Sequence, residues 1–114
     1  MYRVEIRCWE KYAATVREKM KGIPEILKEK FSVGYDEIFV EIIPIKKDDV
    51  YNDIYYAKKY VFVTIPVPEN TSQSQKEKIA DEITHLLCDF YKIKRKYIII
   101  KFEDIKKENI FWEY

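Results

Sequence analysis

Apolar and charged residues alternate from the start of the chain. Val4, Ile6 and Cys8 take one face and Arg3, Glu5 and Arg7 the other, the period-two pattern of a strand with one apolar side. The period then changes. Tyr12, Val16, Met20, Ile23, Leu27 and Phe31 recur at spacings of three and four, which lines one face of a helix. Gly22 and Pro24 interrupt it. Pro24 lacks an N–H and pushes against the carbonyl four residues back, so a kink is predicted near Met20 to Ile23. Asp36 to Ile45 follows as a second strand, closed by Pro44.

Tyr60 to Val67 is again rich in β-branched and aromatic residues, a third strand. Asn70-Thr71-Ser72 carries capping chemistry, and Ser72 with Gln75 three places on fits a capping box, Gln75 reaching back to the cap. Ile79, Ile83, Leu86, Leu87 and Phe90 then mark a helix face, and Tyr97 to Phe102 a fourth strand. Each strand–helix–strand run is a βαβ unit, with parallel strands and a right-handed crossover.

The two units overlay without a gap at a shift of 59 positions. Val4 meets Val63, Ile6 meets Ile65, Met20 meets Ile79, Leu27 meets Leu86, Phe31 meets Phe90, Val40 meets Ile99 and Ile43 meets Phe102. The predicted architecture is α+β: two tandem βαβ repeats, 1–59 and 60–114, form a four-stranded sheet with two helices on one face. A single domain of 114 residues results. The connection Lys46 to Lys59 and the tail Glu108 to Tyr114 are expected to add short edge strands. Four large apolar or aromatic residues in that tail need cover.

Charge adds little attraction for partners. The 21 basic and 20 acidic side chains leave a net charge of +1, which recruits neither nucleic acid nor an anionic membrane. The basic cluster Lys92 to Lys96 sits where cations complement a helix C-terminus. His85 lies off the apolar stripe, as a solvated helix residue. Cys8 and Cys88 fit no metal or redox spacing, so no metal or cofactor is expected. The alternating N-terminus is unlike a signal peptide, and no apolar run is long enough to span a bilayer. A cytoplasmic protein with reduced cysteines is the expectation.

The run Asn70 to Ile79, a small polar cap followed by Gln-Lys-Glu, resembles the turn and helix start of the tautomerase superfamily, the fold of oxalocrotonate tautomerase and macrophage migration inhibitory factor. Asp36 to Ile43 is similar to its second strand. Within that superfamily the layout is similar to a short bacterial and archaeal family of unknown function, through Phe-Val-Glu-Ile around Glu41 and the aromatic end Asn109 to Glu113. The resemblance implies a homotrimer and a small keto–enol acid as ligand. It also implies an N-terminal proline base and arginines that hold the substrate acid.

The chain departs from that pattern at each of these points. Tyr2 stands where the proline follows Met1, and its bulk implies that Met1 is retained. Tyr12 and Thr71 replace one arginine; Val40 and Ile99 replace the other. Two readings follow. One is a small-molecule-binding or structural homotrimer without the usual catalysis. The other is an isomerase using a non-proline base, with Met1, Tyr2 and Glu41 as candidate catalytic residues. The Met1 α-amine, with an ordinary pKa of about 7.7–8.0, is a base if buried. Glu41 shares its face with Phe39 and Ile43, so it has either a raised pKa or a charged partner, for which Arg3 or Arg7 on the adjacent strand would serve. Arg3, Tyr51, Phe111 and Trp112 are the ligand-pocket candidates.

Overall fold

The structure, a computed structural model, describes residues 2–31, 34, 37–46, 60–89 and 92–109. β1 (Tyr2–Trp9) buries Val4, Ile6 and Cys8 completely and leaves Arg3 and Arg7 exposed, as its alternation requires. A 3-10 turn (Glu10–Tyr12) leads to α1 (Ala13–Lys19), a second 3-10 turn (Met20–Gly22) and α2 (Ile23–Lys30). β2 (Ile38–Ile45), β3 (Val61–Pro68), α3 (Gln73–Leu87) and β4 (Ile98–Ile105) follow. The sheet order is β2-β1-β3-β4. β1 pairs with β2 and β3 with β4 in parallel, as a βαβ unit demands, while β1 and β3 meet antiparallel at the centre.

The expected kink is a break between two helices. Pro24 lies in the first turn of α2, where its missing N–H has no intrahelical acceptor to lose. It therefore starts α2 and does not bend a continuous helix. Gly22 has a separate cause: a Cβ built there would stand 3.0 Å from Leu86 Cδ1. The absent side chain lets the 3-10 turn approach α3 this closely without displacing the Leu86 side chain.

Both helices cover one face of the sheet. Val16, Ile23 and Leu27 from the first helical segment meet Ile79, Ile83 and Leu87 from α3, over Val4, Ile6, Val61, Val63, Ile65 and Val67. Burying a side chain of this size contributes about 1.5–3 kcal/mol. Among the described residues no polar or charged residue is buried.

The ends of the two helical segments are cross-tied. The Gln75 side-chain amide donates to the Lys30 carbonyl at 2.8 Å, and Lys19 Nζ donates to the Cys88 carbonyl at 2.7 Å. Each carbonyl lies in the last turn or at the cap, where no helical N–H remains to meet it. Ser72 caps α3 as expected, its Oγ accepting from the Gln75 N–H at 3.1 Å. The second half of the capping box does not form, because the Gln75 side chain is engaged with Lys30.

The first strands of the repeats keep the shift of 59: Tyr2 corresponds to Val61 and Trp9 to Pro68. The second strands do not. Ile38 pairs with Tyr2 and Ile98 with Val61, so Val40 corresponds to Ile100, not Ile99, and Phe102 to Ile42, not Ile43. A one-residue slip exchanges the faces of a strand. Ile99 accordingly lies on the face away from the helices. The helices share this shift of 60, α1 starting at Ala13 and α3 at Gln73, with buried Ile23 and Leu27 matching buried Ile83 and Leu87, so the added residue belongs to the turn between Pro68 and Gln73.

The face away from the helices is mixed. At its centre Arg3 lies 3.8 Å from Glu5 and 3.9 Å from Glu41, with Arg7 3.4 Å from Glu5. Around these charges Phe39, Phe62 and Ile99 are 51%, 39% and 43% exposed. Among the described residues no helix is long and apolar enough to cross a membrane.

Candidate functional site beside Tyr2

The central ladder is lopsided. β1 and β3 pair over Glu5–Cys8 and Val61–Thr64, and the pairing does not continue toward Tyr2. Pro66 and Pro68 lie on that stretch of β3 and have no N–H to offer. β1 begins and β3 ends there without being joined, and the chain leaves Pro68 in a tight turn. Asn70 adopts φ 73°, a left-handed conformation that asparagine tolerates better than most residues. The Pro68 carbonyl accepts from the Thr71 N–H at 3.2 Å and from its hydroxyl at 2.6 Å. The Glu69 N–H donates to the Ile105 carbonyl at 3.1 Å, which fixes the turn against β4.

A cavity of about 360 Å³ opens at this end. Tyr2 from β1, Lys30 and Phe31 from the end of α2, Pro68 to Thr71 from the turn and Gln75 from α3 line it. It is open to solvent, and depressions of about 360 and 380 Å³ lie elsewhere on the described surface, so its lining and its place at the start of β1 single it out. Phe31, Pro68 and the Tyr2 ring offer apolar surface. Lys30 supplies a cation, itself 3.5 Å from Glu82. Glu69 adds a carboxylate, and Thr71 and Gln75 add neutral hydrogen-bonding groups. Such a lining suits a small, partly apolar molecule with a polar or anionic end.

Of the sequence candidates, Tyr2 lies in this cavity. Arg3 does not: adjacent strand residues point to opposite faces, and Arg3 stands on the outer face with Glu41. Glu41 thus has the basic partner expected of it. Its side chain and that of Arg3 are 39% and 58% exposed, so the pair contributes no more than about 1 kcal/mol in the single chain. Met1, Tyr51, Phe111 and Trp112 lie outside the described residues. Lys30, Glu69 and Gln75 were not singled out from sequence. Their convergence depends on the antiparallel join of the repeats, which brings the β3–α3 turn to the start of β1.

Other groups are occupied elsewhere. Cys8 is fully buried, and burial pushes its thiol up to about 11, away from thiolate chemistry. His85 is exposed. Arg95 pairs with Asp81, and Lys96 stands over the Tyr97 ring. Among the described residues no three His, Cys, Asp or Glu side chains converge on a metal position.

Comparison with known proteins fits this geometry. A family model described as tautomerase enzyme matches residues 62–113, from β3 through α3 and β4 into the tail. The chain has the tautomerase-superfamily fold. No curated protein sequence matches it. A solved member of the cis-3-chloroacrylic acid dehalogenase family superposes on this tautomerase fold with a TM-score of 0.77 at 9% identity, covering 97% of this chain and 80% of its own. A fused 4-OT symmetric trimer gives 0.75 at 11% identity, covering 98% and 90%. A protein of unknown function from Vibrio cholerae O1 biovar eltor str. N16961 gives 0.69 at 17% identity, covering 98% and 84%.

Proposed function

We propose that this tautomerase-fold chain is a single-domain cytoplasmic protein that assembles as a homotrimer and binds a small organic acid in the cavity beside Tyr2, without N-terminal proline catalysis. The observation that carries the reading is the cavity itself. It forms where β1 begins, and Tyr2, not a proline, lines it. Lys30 is the cation at hand for an anionic ligand, and the Tyr2 and Phe31 rings suit an apolar body. Glu41, a candidate base of the catalytic alternative, is not among the lining residues and faces Arg3 on the outer face.

The trimer is supported by the outer face. Phe39, Phe62 and Ile99 give that face apolar surface that a contact between copies would cover. The charges between them are self-paired, so covering that face strands none of them.

Phenylpyruvate tests both readings. Titration followed by NMR is expected to shift Tyr2, Phe31, Thr71 and Gln75, with no enol–keto turnover above the uncatalysed rate. Saturable shifts elsewhere would move the site. Turnover lost on blocking the α-amine would establish the isomerase reading instead.

A further inference from the structure

The polar lining of the cavity beside Tyr2 is only partly free, and what remains free is selective. The Thr71 hydroxyl hydrogen is spent on the Pro68 carbonyl, and the Gln75 amide nitrogen on the Lys30 carbonyl. The Gln75 side-chain oxygen keeps its capacity to accept. Lys30 is engaged as well, its Nζ lying 3.5 Å from Glu82 Oε1. The second oxygen of Glu82 is buried and has no hydrogen-bond partner among the described residues, so Glu82 makes its whole demand on Lys30. The pair carries no net charge.

Glu69 differs. It is exposed in the turn after β3, and its N–H ties the backbone to the Ile105 carbonyl. Among the described residues no ion pair reaches its carboxylate. Once Lys30 is counted with Glu82, the charge left over along this lining is therefore negative.

We infer that the ligand of this cavity carries an ammonium group beside its acid: an α-amino acid with an apolar side chain, whose ammonium is read by Glu69. The inference rests on the binding reading above and narrows its ligand class. A plain acid meets one balanced pair and one bare carboxylate, which repels it. An amino acid meets partners at both ends. Lys30 has three donors, so it takes the ligand carboxylate while keeping Glu82. Glu69 takes the ammonium, with the Gln75 oxygen as a further acceptor on the same lining. The Tyr2 and Phe31 rings and Pro68 hold the apolar body.

L-Phenylalanine and phenylpyruvate differ only at the carbon next to the carboxylate, which bears an ammonium in one and a keto oxygen in the other. NMR titration of the full chain at neutral pH is expected to place both beside Tyr2 and Phe31, with phenylalanine about tenfold tighter, the scale of one charge-assisted hydrogen bond. Glu69→Gln keeps the shape of an exposed side chain and removes its charge. It is expected to abolish the preference by weakening phenylalanine while phenylpyruvate binds at least as well as before. Equal affinities in the parent, or a variant that keeps the tenfold preference, would overturn the inference and leave the cavity as a site for plain acids. Binding of neither compound would overturn the cavity reading and the inference with it.

Discussion

Glu5 stands opposite Thr64 in the central ladder, and Thr64 is the residue 59 positions beyond Glu5, its own counterpart in the second repeat. The pseudo-twofold axis of the sheet therefore passes through this pair. From there the ladder extends only one way, through Ile6–Val63 and Arg7–Phe62 to Cys8–Val61. A symmetric sheet would continue through Val4–Ile65 to Arg3–Pro66. Proline denies that pairing a donor.

Restoring the donor provides the first prediction. Pro66→Thr is expected to extend the ladder toward Tyr2, with the new amide protected in hydrogen exchange and the cavity narrowed. Exchange of that amide at the rate of an open loop would show that strand twist, not the proline, parts β1 from β3.

The outer face provides the second. Phe62→Asp places a charge among Phe39, Ile99 and the paired ions, where three copies are proposed to meet. Sedimentation velocity is expected to show the parent as a trimer and the variant as a folded monomer. A variant trimer as stable as the parent would take this face out of the interface.

Gly22 and Leu86 form a testable pair. Gly22→Val is expected to destabilise by about 1–3 kcal/mol through overpacking. Leu86→Ala should relieve part of that loss, so the double variant is more stable than the sum of the two single effects. Additive losses in urea denaturation would mean that the close approach at Leu86 is not what selects glycine.

Cys8 gives a pH dependence with a defined sign. Its thiol pKa is raised from 9.0 to about 11 because burial disfavours the thiolate. The neutral thiol is thus the form the fold favours. Its stabilising contribution is complete below pH 9 and is lost as pH rises through about 11. Cys8→Val, which cannot ionise, is expected to hold its stability better than the parent between these values. Parallel stability curves for the two proteins would refute the assignment.

Local patterns made much of the fold legible. Strict alternation placed β1, the three–four spacing placed the helices, and Ser72 with Gln75 marked the start of α3, all within a few residues of sequence. The register of β4 was not legible, because Ile98, Ile99 and Ile100 are equally apolar and carry no alternation. A residue added before them leaves the overlay plausible while exchanging the faces. Gln75 was misread for a related reason: its acceptor, the Lys30 carbonyl, is 45 residues away. The cavity depended on the same kind of distance. Tyr2 was noticed, but Lys30 and Glu69 join it only once the repeats pack antiparallel.

The cross-ties between Gln75 and the Lys30 carbonyl, and between Lys19 and the Cys88 carbonyl, bear on how such a chain comes apart. Each half supplies a hydrogen bond to a helix end of the other, so the two halves complete one another. Severed in the 47–59 connection, the pieces are expected to be separately disordered and to regain structure only when mixed, as two parts of one cooperative unit.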